Sequence, residues 1–375
     1  MGKKVKLAFF LFKYFPFGGL QRDFMQIAKV CLARGHQVDV YSSSWEGKIP
    51  DGLQVSIISA SGFTNHRRCE SFIKRVNESL SISNYDVVVG FNKMPGLDIY
   101  FAADTCFAAK ALTRGFLYRL TPRYRSYLDL ERAVFNRDSK TEVLLISEND
   151  KELFIQHYGT DEDRFHILPP GVEENRFVLY DKNDVFNELL SEFSVGLNQK
   201  IVLMIGSSFK TKGVDRAIRA ISALPLNIRK ETILMIVGEG KTRPFNRMAS
   251  RLGVLDQVYF AGGREDIPKF LQAADLLLHT AYQETAGIVL IEAMAAGLPI
   301  LVTDTCGYSS HVERAGAGEI ISSPFKQDTL NEMLAFMLTS KRRNEWGKNG
   351  RDYINKIGVF NRWEKAADII EEVAM

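Results

Sequence analysis

Two glutamates, Glu284 and Glu292, stand eight positions apart in the segment from Tyr282 to Pro299. An apolar run at 274–279 is typical of a buried strand, and the apolar residues between the two glutamates predict a helix that begins soon after it. Eight helical residues span about 12 Å and return to within about 80° of the same face, so both carboxylates can look into one cleft. A glycoside hydrolase needs its two carboxyl groups only about 5–9.5 Å apart. The wider spacing suits the two ends of one long ligand, with a sugar at Glu284, a ribose at Glu292 and a diphosphate over the helix N-terminus between them.

The pair Gly18-Gly19 follows the first apolar run of the chain and opens a predicted helix. Glycines in this place let a backbone approach a phosphate or sugar at a helix N-terminus, although they also suit an ordinary tight turn. The loop lacks the spaced triple-glycine fingerprint of dinucleotide-binding proteins. Asp23, one turn into the helix, either reaches a hydroxyl of an acceptor or favours the positive end of the helix.

A second glycine-containing loop, at 206–215, contains Lys210 and Lys212 just before another predicted helix. Cations at a helix start are disfavoured by the helix dipole, which indicates that these lysines are there to meet an anion such as a diphosphate. Arg176 lies just beyond a predicted linker and either adds a second positive group to the same site or is a solvated linker charge.

Three polar residues follow apolar runs in the first half of the chain. Asp104 comes directly after one predicted strand, where it either orients an acceptor hydroxyl or caps the next helix. Asn92 and Lys93 come after the preceding strand and could meet the sugar or phosphate of an acceptor. All three are therefore candidate acceptor-binding residues.

The segment 107–137 is basic and aromatic. It has seven basic and two acidic residues, a local charge of +5, interleaved with tyrosines, phenylalanine and leucines. Arginine and tyrosine among aliphatic residues favour an anionic membrane surface, although a helix with snorkelling arginines has the same composition, and RNA binding is a weaker alternative. The candidate membrane-binding residues are Lys110, Arg114, Arg119, Arg123, Arg125 and Arg132.

The bulk composition is that of an ordinary globular protein, with 46% hydrophobic and 25% charged residues. A net charge of +3 argues against a dedicated nucleic-acid binder. The four cysteines are scattered without metal-ligand spacing, which is typical of buried thiols in a reducing compartment. Asp161-Glu-Asp163 matches a metal-binding motif of another class of sugar transferase, but no cluster of ligands adjoins it, so no metal is expected. The longest apolar runs are shorter than a membrane span, which predicts a cytosolic or peripheral protein.

The elements that must position these residues alternate between apolar strands and helices, which predicts two doubly wound α/β domains with parallel sheets that face a central cleft. The expected domains are 1–172, 173–355 and a C-terminal helix in 356–375 that packs back on the first domain. The paired prolines in 167–172 predict the linker. In the first half the predicted strands are Val5–Phe12, Gln37–Tyr41, Val55–Ile58, Val87–Phe91, Ile99–Ala102 and Val143–Ser147. In the second half they are Ile201–Ile205, Ile233–Val237, Val258–Phe260, Leu276–His279, Ile300–Val302 and Glu319–Ile321.

With its two-domain layout, its paired glutamates and its lysine loop, the chain resembles the retaining glycosyltransferases of family 4, which have the GT-B fold. Three longer motifs, at 13–24, 90–98 and 282–290, are similar to those of the lipopolysaccharide core glucosyltransferases. The resemblance extends over nearly the whole chain. It implies transfer of glucose from UDP-glucose to an inner-core heptose of lipopolysaccharide, in α-1,3 linkage, by a peripheral protein at the cytoplasmic face of the inner membrane.

The same resemblance implies individual roles. Glu284 would contact the donor glucose and Glu292 the ribose of UDP, while Lys212 and Arg176 would meet the diphosphate. Lys210 or Thr211 would compensate for an arginine that the family usually has at the position of Ser207. The remaining donor residues would be Gly18, Gly19, Ala286, Gly287 and Ile288.

Glu284, Asp104 and Lys212 are then the candidate catalytic residues, with front-face attack favoured over double displacement. Three rival functions stay open at this point. A nucleotide-sugar epimerase of the same fold would need no acceptor, and a non-catalytic membrane adaptor would need only the basic segment. A dinucleotide oxidoreductase is disfavoured by the missing glycine fingerprint.

Overall fold

A computed structural model describes residues 4–16, 18–82, 84–112, 114–178, 180–193, 196 and 199–375 of the chain. The chain divides into two compact units, one formed by Met1–Gly171 with Asn361–Met375 and the other by Val172–Phe360.

The strands, in chain order, are β1 (Lys6–Phe10), β2 (Gln37–Ser42), β3 (Leu53–Ile57), β4 (Val87–Gly90), β5 (Ile99–Ala102), β6 (Glu142–Leu145), β7 (Phe165–Ile167), β8 (Lys200–Ile205), β9 (Thr232–Val237), β10 (Val258–Gly262), β11 (Leu276–His279), β12 (Ile300–Thr303) and β13 (Gly318–Ile321).

The helices are α1 (Gly19–Ala33), α2 (Asn65–Ile82), α3 (Phe107–Leu112), α4 (Phe116–Arg119), α5 (Pro122–Phe135), α6 (Lys151–Tyr158), α7 (Lys182–Phe193), α8 (Val214–Ala223), α9 (Leu226–Lys230), α10 (Arg243–Arg251), α11 (Ile267–Ala273), α12 (Ile288–Ala296), α13 (Ser309–Ala315), α14 (Gln327–Thr339), α15 (Arg343–Ile357) and α16 (Arg362–Val373).

Each unit contains one sheet whose strands all pair in parallel. The first sheet has the order β3-β2-β1-β4-β5-β6-β7 and the second β10-β9-β8-β11-β12-β13. Strands such as β9 are buried along their whole length because helices cover both faces, which explains their continuous apolar sequence. The strand order reverses between β1 and β4 in the first sheet and between β8 and β11 in the second. Doubly wound sheets bind ligands beyond the carboxyl ends of the strands at these switch points.

The helix predicted at the C-terminus is α16, and it packs on α1 within the first unit. Buried Arg362 pairs with Asp23 at 3.2 Å, and the Trp363 indole donates to the same carboxylate at 2.9 Å. Arg34, just after α1, pairs with Glu364 at 2.5 Å. Asp23, predicted to reach an acceptor hydroxyl or to favour the positive end of the helix, instead has a buried carboxylate that is paired with the C-terminal helix.

Candidate active site

An ion pair between Lys212 and Glu284 lies at the switch point of the second sheet. Lys212 follows β8 and Glu284 follows β11, so the two neighbouring strands bring them together, and the Lys212 ammonium contacts Glu284 Oε2. Both side chains are about four-fifths buried, with 20% exposed. Burial lowers the pKa of Lys212. It also lowers the pKa of His279 to about 3, so this imidazole, 3.4 Å from Glu284 Oε2, is neutral at physiological pH.

Backbone hydrogen bonds fix the loop that contains Glu284. The Glu284 amide donates to the Thr305 carbonyl at 3.1 Å, and the Gly307 amide donates back to the Glu284 carbonyl at 3.0 Å. The Tyr282 amide donates to the Thr211 carbonyl at 2.8 Å, which ties this loop to the lysine loop. The backbone of Glu284 is thus held on both sides, which fixes the point from which its side chain extends.

The helix start beyond Glu284 requires glycine. Gly287 is the N-cap of α12 with φ of +86°, a region that favours glycine, and a Cβ there would lie 2.3 Å from Cys306 Sγ. Its cap makes no side-chain hydrogen bond. The first amides of α12, from Ile288 onward, therefore form an N-terminus suited to an anion, with Ala286 and Gly287 leading into it.

Glu292 lies on α12, one turn into the helix. Its side chain is only 5% exposed, and its Oε1 lies 3.8 Å from Arg176 Nε, in a 3₁₀ helix at 174–177. Two carboxylate–cation pairs therefore flank the start of α12. Residues 284–287 form a loop and α12 begins at Ile288, so the interval between the two glutamates is only partly helical, in place of the eight helical residues from which about 12 Å was predicted.

The lysine loop is also built on glycines. A Cβ at Gly206 would lie 2.8 Å from Lys212 Cε, and one at Gly213 would lie 2.0 Å from the Thr280 carbonyl oxygen. Both glycines have positive φ. Lys210 is exposed on the same loop, outside the Lys212–Glu284 pair.

A buried arginine packs against the loop that contains Glu284, and it was not predicted from the sequence. The Arg216 guanidinium lies 3.7 Å from the centres of both the Tyr282 and Phe325 rings. It donates to the Thr280 carbonyl at 3.2 Å. No local sequence signal marks Arg216, because its partners lie more than sixty residues away. Cys306 was missed for the same reason.

The first unit contains a cavity of about 290 Å³ beyond the carboxyl ends of β1, β4 and β5. It contains three of the predicted acceptor residues, Asn92, Lys93 and Asp104. Asn92 Oδ1 accepts the Phe12 amide at 2.7 Å, which joins the loops after β1 and β4. The complete lining is Phe10, Phe12, Cys69, Phe72, Ile73, Asn92, Lys93, Asp104, Thr105, Phe107, Lys110, Tyr127 and Leu130.

The two glycines after β1 differ in what surrounds them. A Cβ at Gly18 would lie 1.8 Å from Gln21 Oε1, so local packing already explains that residue. A Cβ at Gly19, the first residue of α1, would meet nothing within 4 Å. Gly19 therefore has open space beside the helix start, as a ligand-facing backbone requires.

The basic segment folds into α3, α4 and α5, and it exposes apolar side chains beside its arginines. Phe116 is 72% and Leu117 78% exposed. The predicted membrane residues are exposed except for Arg119, which is partly buried. Across the part of the chain that the structure describes, every helix is too short or too polar to cross a bilayer.

Comparison with known proteins matches both units to glycosyltransferases. Residues 17–176 match the model of glycosyltransferase family 4, and residues 187–353 match that of glycosyl transferases group 1. Over 369 residues the chain is 46% identical to the lipopolysaccharide glucosyltransferase WaaG of Escherichia coli strain K12, covering 97% of this chain and 98% of that protein. The chain belongs to the WaaG family of glycosyltransferases. The crystal structure of WaaG, described as a glycosyltransferase involved in lipopolysaccharide biosynthesis, has a TM-score of 0.89 and 45% identity, covering 97% and 99% of the two chains.

Membership of this family confirms the predicted enzyme class and the GT-B fold with its two parallel-sheet domains. Anabaena Alr3699/HepE, solved in complex with UDP and glucose, has a TM-score of 0.74 and covers 98% of this chain and 100% of that one. At 19% identity it shows the shared fold alone.

Proposed function

We propose that this glycosyltransferase transfers glucose from UDP-glucose to an inner-core heptose of lipopolysaccharide, in α-1,3 linkage and with retention of configuration, at the cytoplasmic face of the inner membrane. The observation that carries the proposal is the placement of two carboxylate–cation pairs around the start of α12, at the switch point of a doubly wound sheet. The 46% identical relative, a lipopolysaccharide glucosyltransferase, supports the proposed acceptor.

The donor would lie along the start of α12. Glu284 would accept hydrogen bonds from the glucose hydroxyls, and Glu292 would accept those of the ribose. Arg176 already lies near Glu292, and Lys212 near Glu284, so a cation stands at each end of the region where the diphosphate would sit. This placement is supported by the chemistry of the groups, because carboxylates accept hydrogen bonds from hydroxyls and a diphosphate is bound by cations and helix amides.

The same cations would stabilise the departing UDP. As the bond from glucose C1 to the UDP oxygen breaks, negative charge grows on the β-phosphate, and Lys212, Arg176 and the α12 amides face it. Exposed Lys210 would add a positive charge nearby. With this set of charges the reaction would need no divalent cation.

Retention would follow from front-face attack. The acceptor hydroxyl oxygen forms its bond to C1 on the face from which UDP leaves, and its proton passes to the departing phosphate oxygen. Glu284 is paired with Lys212, which suits it to hold a sugar hydroxyl rather than to attack carbon. Asp104 would orient the acceptor hydroxyl.

The acceptor sugar would enter the cavity of the first unit. Aromatic rings suit the apolar face of a sugar, and Asn92, Lys93 and Asp104 supply polar groups for its hydroxyls. The exposed arginines and apolar residues of segment 107–137 would hold the enzyme on anionic inner-membrane lipid.

Mass spectrometry of the product tests this function. The purified protein is incubated with UDP-glucose, with and without heptose-terminated lipopolysaccharide. We expect one hexose to be added to the acceptor, together with UDP release that depends on the acceptor. Conversion of UDP-glucose to another sugar without acceptor would instead support the epimerase.

A further inference from the structure

One carboxylate in the first unit is completely buried and is the centre of a polar cluster. Glu131 lies on α5 with 0% of its side chain exposed. Its two oxygens accept hydrogen bonds from Lys93 Nζ at 2.5 Å, from the Tyr158 hydroxyl at 2.6 Å, and from the amides of Phe107 and Ala108 at 2.8 and 2.9 Å. Every donor in this set is a strong one, so the carboxylate is fully satisfied where it lies.

The donors come from separate parts of the fold. Lys93 follows β4, Phe107 and Ala108 are the first residues of α3 after β5, and Tyr158 ends α6. Glu131 therefore fixes the loops beyond two neighbouring strands with one side chain. It also caps α3, the role that sequence reasoning left open for Asp104.

These loops are the polar wall of the cavity described above. Lys93 and Phe107 line it directly, and Asp104 stands three residues before the capped helix start. Leu130, the neighbour of Glu131 on α5, lines it as well. The buried carboxylate thus lies immediately behind the surface that would meet the acceptor.

The chemistry of the cluster keeps it in one arrangement. Burial raises the pKa of the Tyr158 hydroxyl, so it stays protonated and remains a donor. The Lys93 side chain is 12% exposed, and without Glu131 its largely buried charge would lose the ion pair that it makes at 2.5 Å. Loss of the carboxylate should therefore move Lys93 and release the start of α3.

We propose that Glu131 is a positioning residue for the acceptor: it holds Lys93 and the start of α3 so that the cavity binds the acceptor sugar. The inference rests on the proposed transferase function. It gives one residue of the basic segment a role in acceptor binding, in addition to any contact of that segment with lipid.

Steady-state kinetics of Glu131→Gln test the proposal, with the concentrations of UDP-glucose and of heptose-terminated acceptor varied in turn. We expect the KM for the acceptor to rise about tenfold or more, as for the loss of a hydrogen-bonded charge. The KM for UDP-glucose should stay unchanged, because the side chains proposed to bind the sugar, the ribose and the diphosphate lie in the other unit and Glu131 contacts none of them. The matched control is Asp129→Asn, which removes the same charge two residues away at an exposed position and should leave both constants unchanged.

A double-mutant cycle with Lys93→Met separates positioning from general damage. If Glu131 acts through Lys93, the double variant should bind the acceptor no worse than Lys93→Met alone. A wild-type acceptor KM in a folded Glu131→Gln protein, or an equal rise in both KM values, would overturn the proposal. Fully multiplied effects of the two substitutions would overturn the role given to Lys93. Tyr158→Phe removes one donor and no charge, so it provides the same comparison should Glu131→Gln not fold, with a rise of about two- to fivefold expected. Absence of glucose transfer by the wild-type protein would overturn the proposed function, and this inference with it.

Discussion

Substitution of Gly287 by alanine perturbs the start of α12 without adding or removing a charge. Two costs can be worked out separately. A residue with a Cβ in the left-handed region costs about 1–2 kcal/mol, and Gly287 has φ of +86°. The new Cβ would also lie 2.3 Å from Cys306 Sγ, far inside the contact distance, and relief of such overpacking costs about 1–3 kcal/mol. The free energy of unfolding should therefore fall by about 2–5 kcal/mol.

Turnover should fall as well. Cys306 precedes Gly307, whose amide holds the Glu284 carbonyl, and the new Cβ would stand 3.4 Å from Glu284 Cγ. A shift that relieves the overlap therefore moves Glu284. Misplacement of a substrate-binding group by about 1 Å can cost about 10²-fold in rate. We expect a loss of that order.

Gly253→Ala is the matched control. Gly253 has φ of +69°, and a Cβ there would meet nothing within 4 Å, so only the backbone cost of about 1–2 kcal/mol remains. Urea denaturation and glucose transfer are measured on both variants and on Gly287→Ala with Cys306→Ala, which removes the overlapping sulfur. Equal destabilisation by the two glycine substitutions, or near-normal turnover by Gly287→Ala, would refute the idea that this packing positions Glu284.

Three further predictions concern charge. Arg123→Glu with Arg125→Glu should abolish flotation with anionic liposomes, whereas the same reversal at the exposed pair Arg243 and Arg247 should not; equal loss in both would argue for net charge alone. Burial raises the pKa of Asp150 from 3.8 to about 6, so the folded state binds a proton more tightly. As the pH rises from about 4 to about 6, the free energy of unfolding should therefore fall by up to ~3 kcal/mol relative to that of the Asp150→Asn variant. Parallel curves of stability against pH for the two proteins would show that this carboxyl does not contribute. The rate of glucose transfer should be the same with and without EDTA. A rate that is lost in EDTA and recovered on addition of Mg²⁺ would contradict the set of charges proposed for the diphosphate.

The strands were predictable because parallel strands covered on both faces need continuous apolar runs. Every strand predicted from the sequence exists, with ends shifted by up to about two residues. The short strand β7 was not predicted, since it lies just before the paired prolines and was assigned in part to the linker. Its three residues alone contain too little periodicity to be recognised.

The arrangement of the candidate site was predictable where it depends on a local pattern. Lys212 stood out as a cation beside a helix start, and the contact with Glu284 follows from the adjacency of β8 and β11. Partners supplied by distant segments were not predictable. Asp23 was predicted to bind the acceptor because nothing near it in sequence shows that Arg362, 339 residues later, donates a hydrogen bond to its carboxylate. Glu131 entered only the charge count of segment 107–137 for the same reason.

Binding of UDP and of UDP-glucose to Glu284→Gln and Glu292→Gln, measured by calorimetry, tests the central claim most directly. If the donor lies along the start of α12 with glucose at Glu284 and ribose at Glu292, Glu292→Gln should weaken both ligands by the same factor. Glu284→Gln should weaken UDP-glucose while leaving the affinity for UDP close to that of the wild-type protein. Equal weakening of both ligands by Glu284→Gln, or wild-type affinity of Glu292→Gln for UDP, would contradict this placement of the donor.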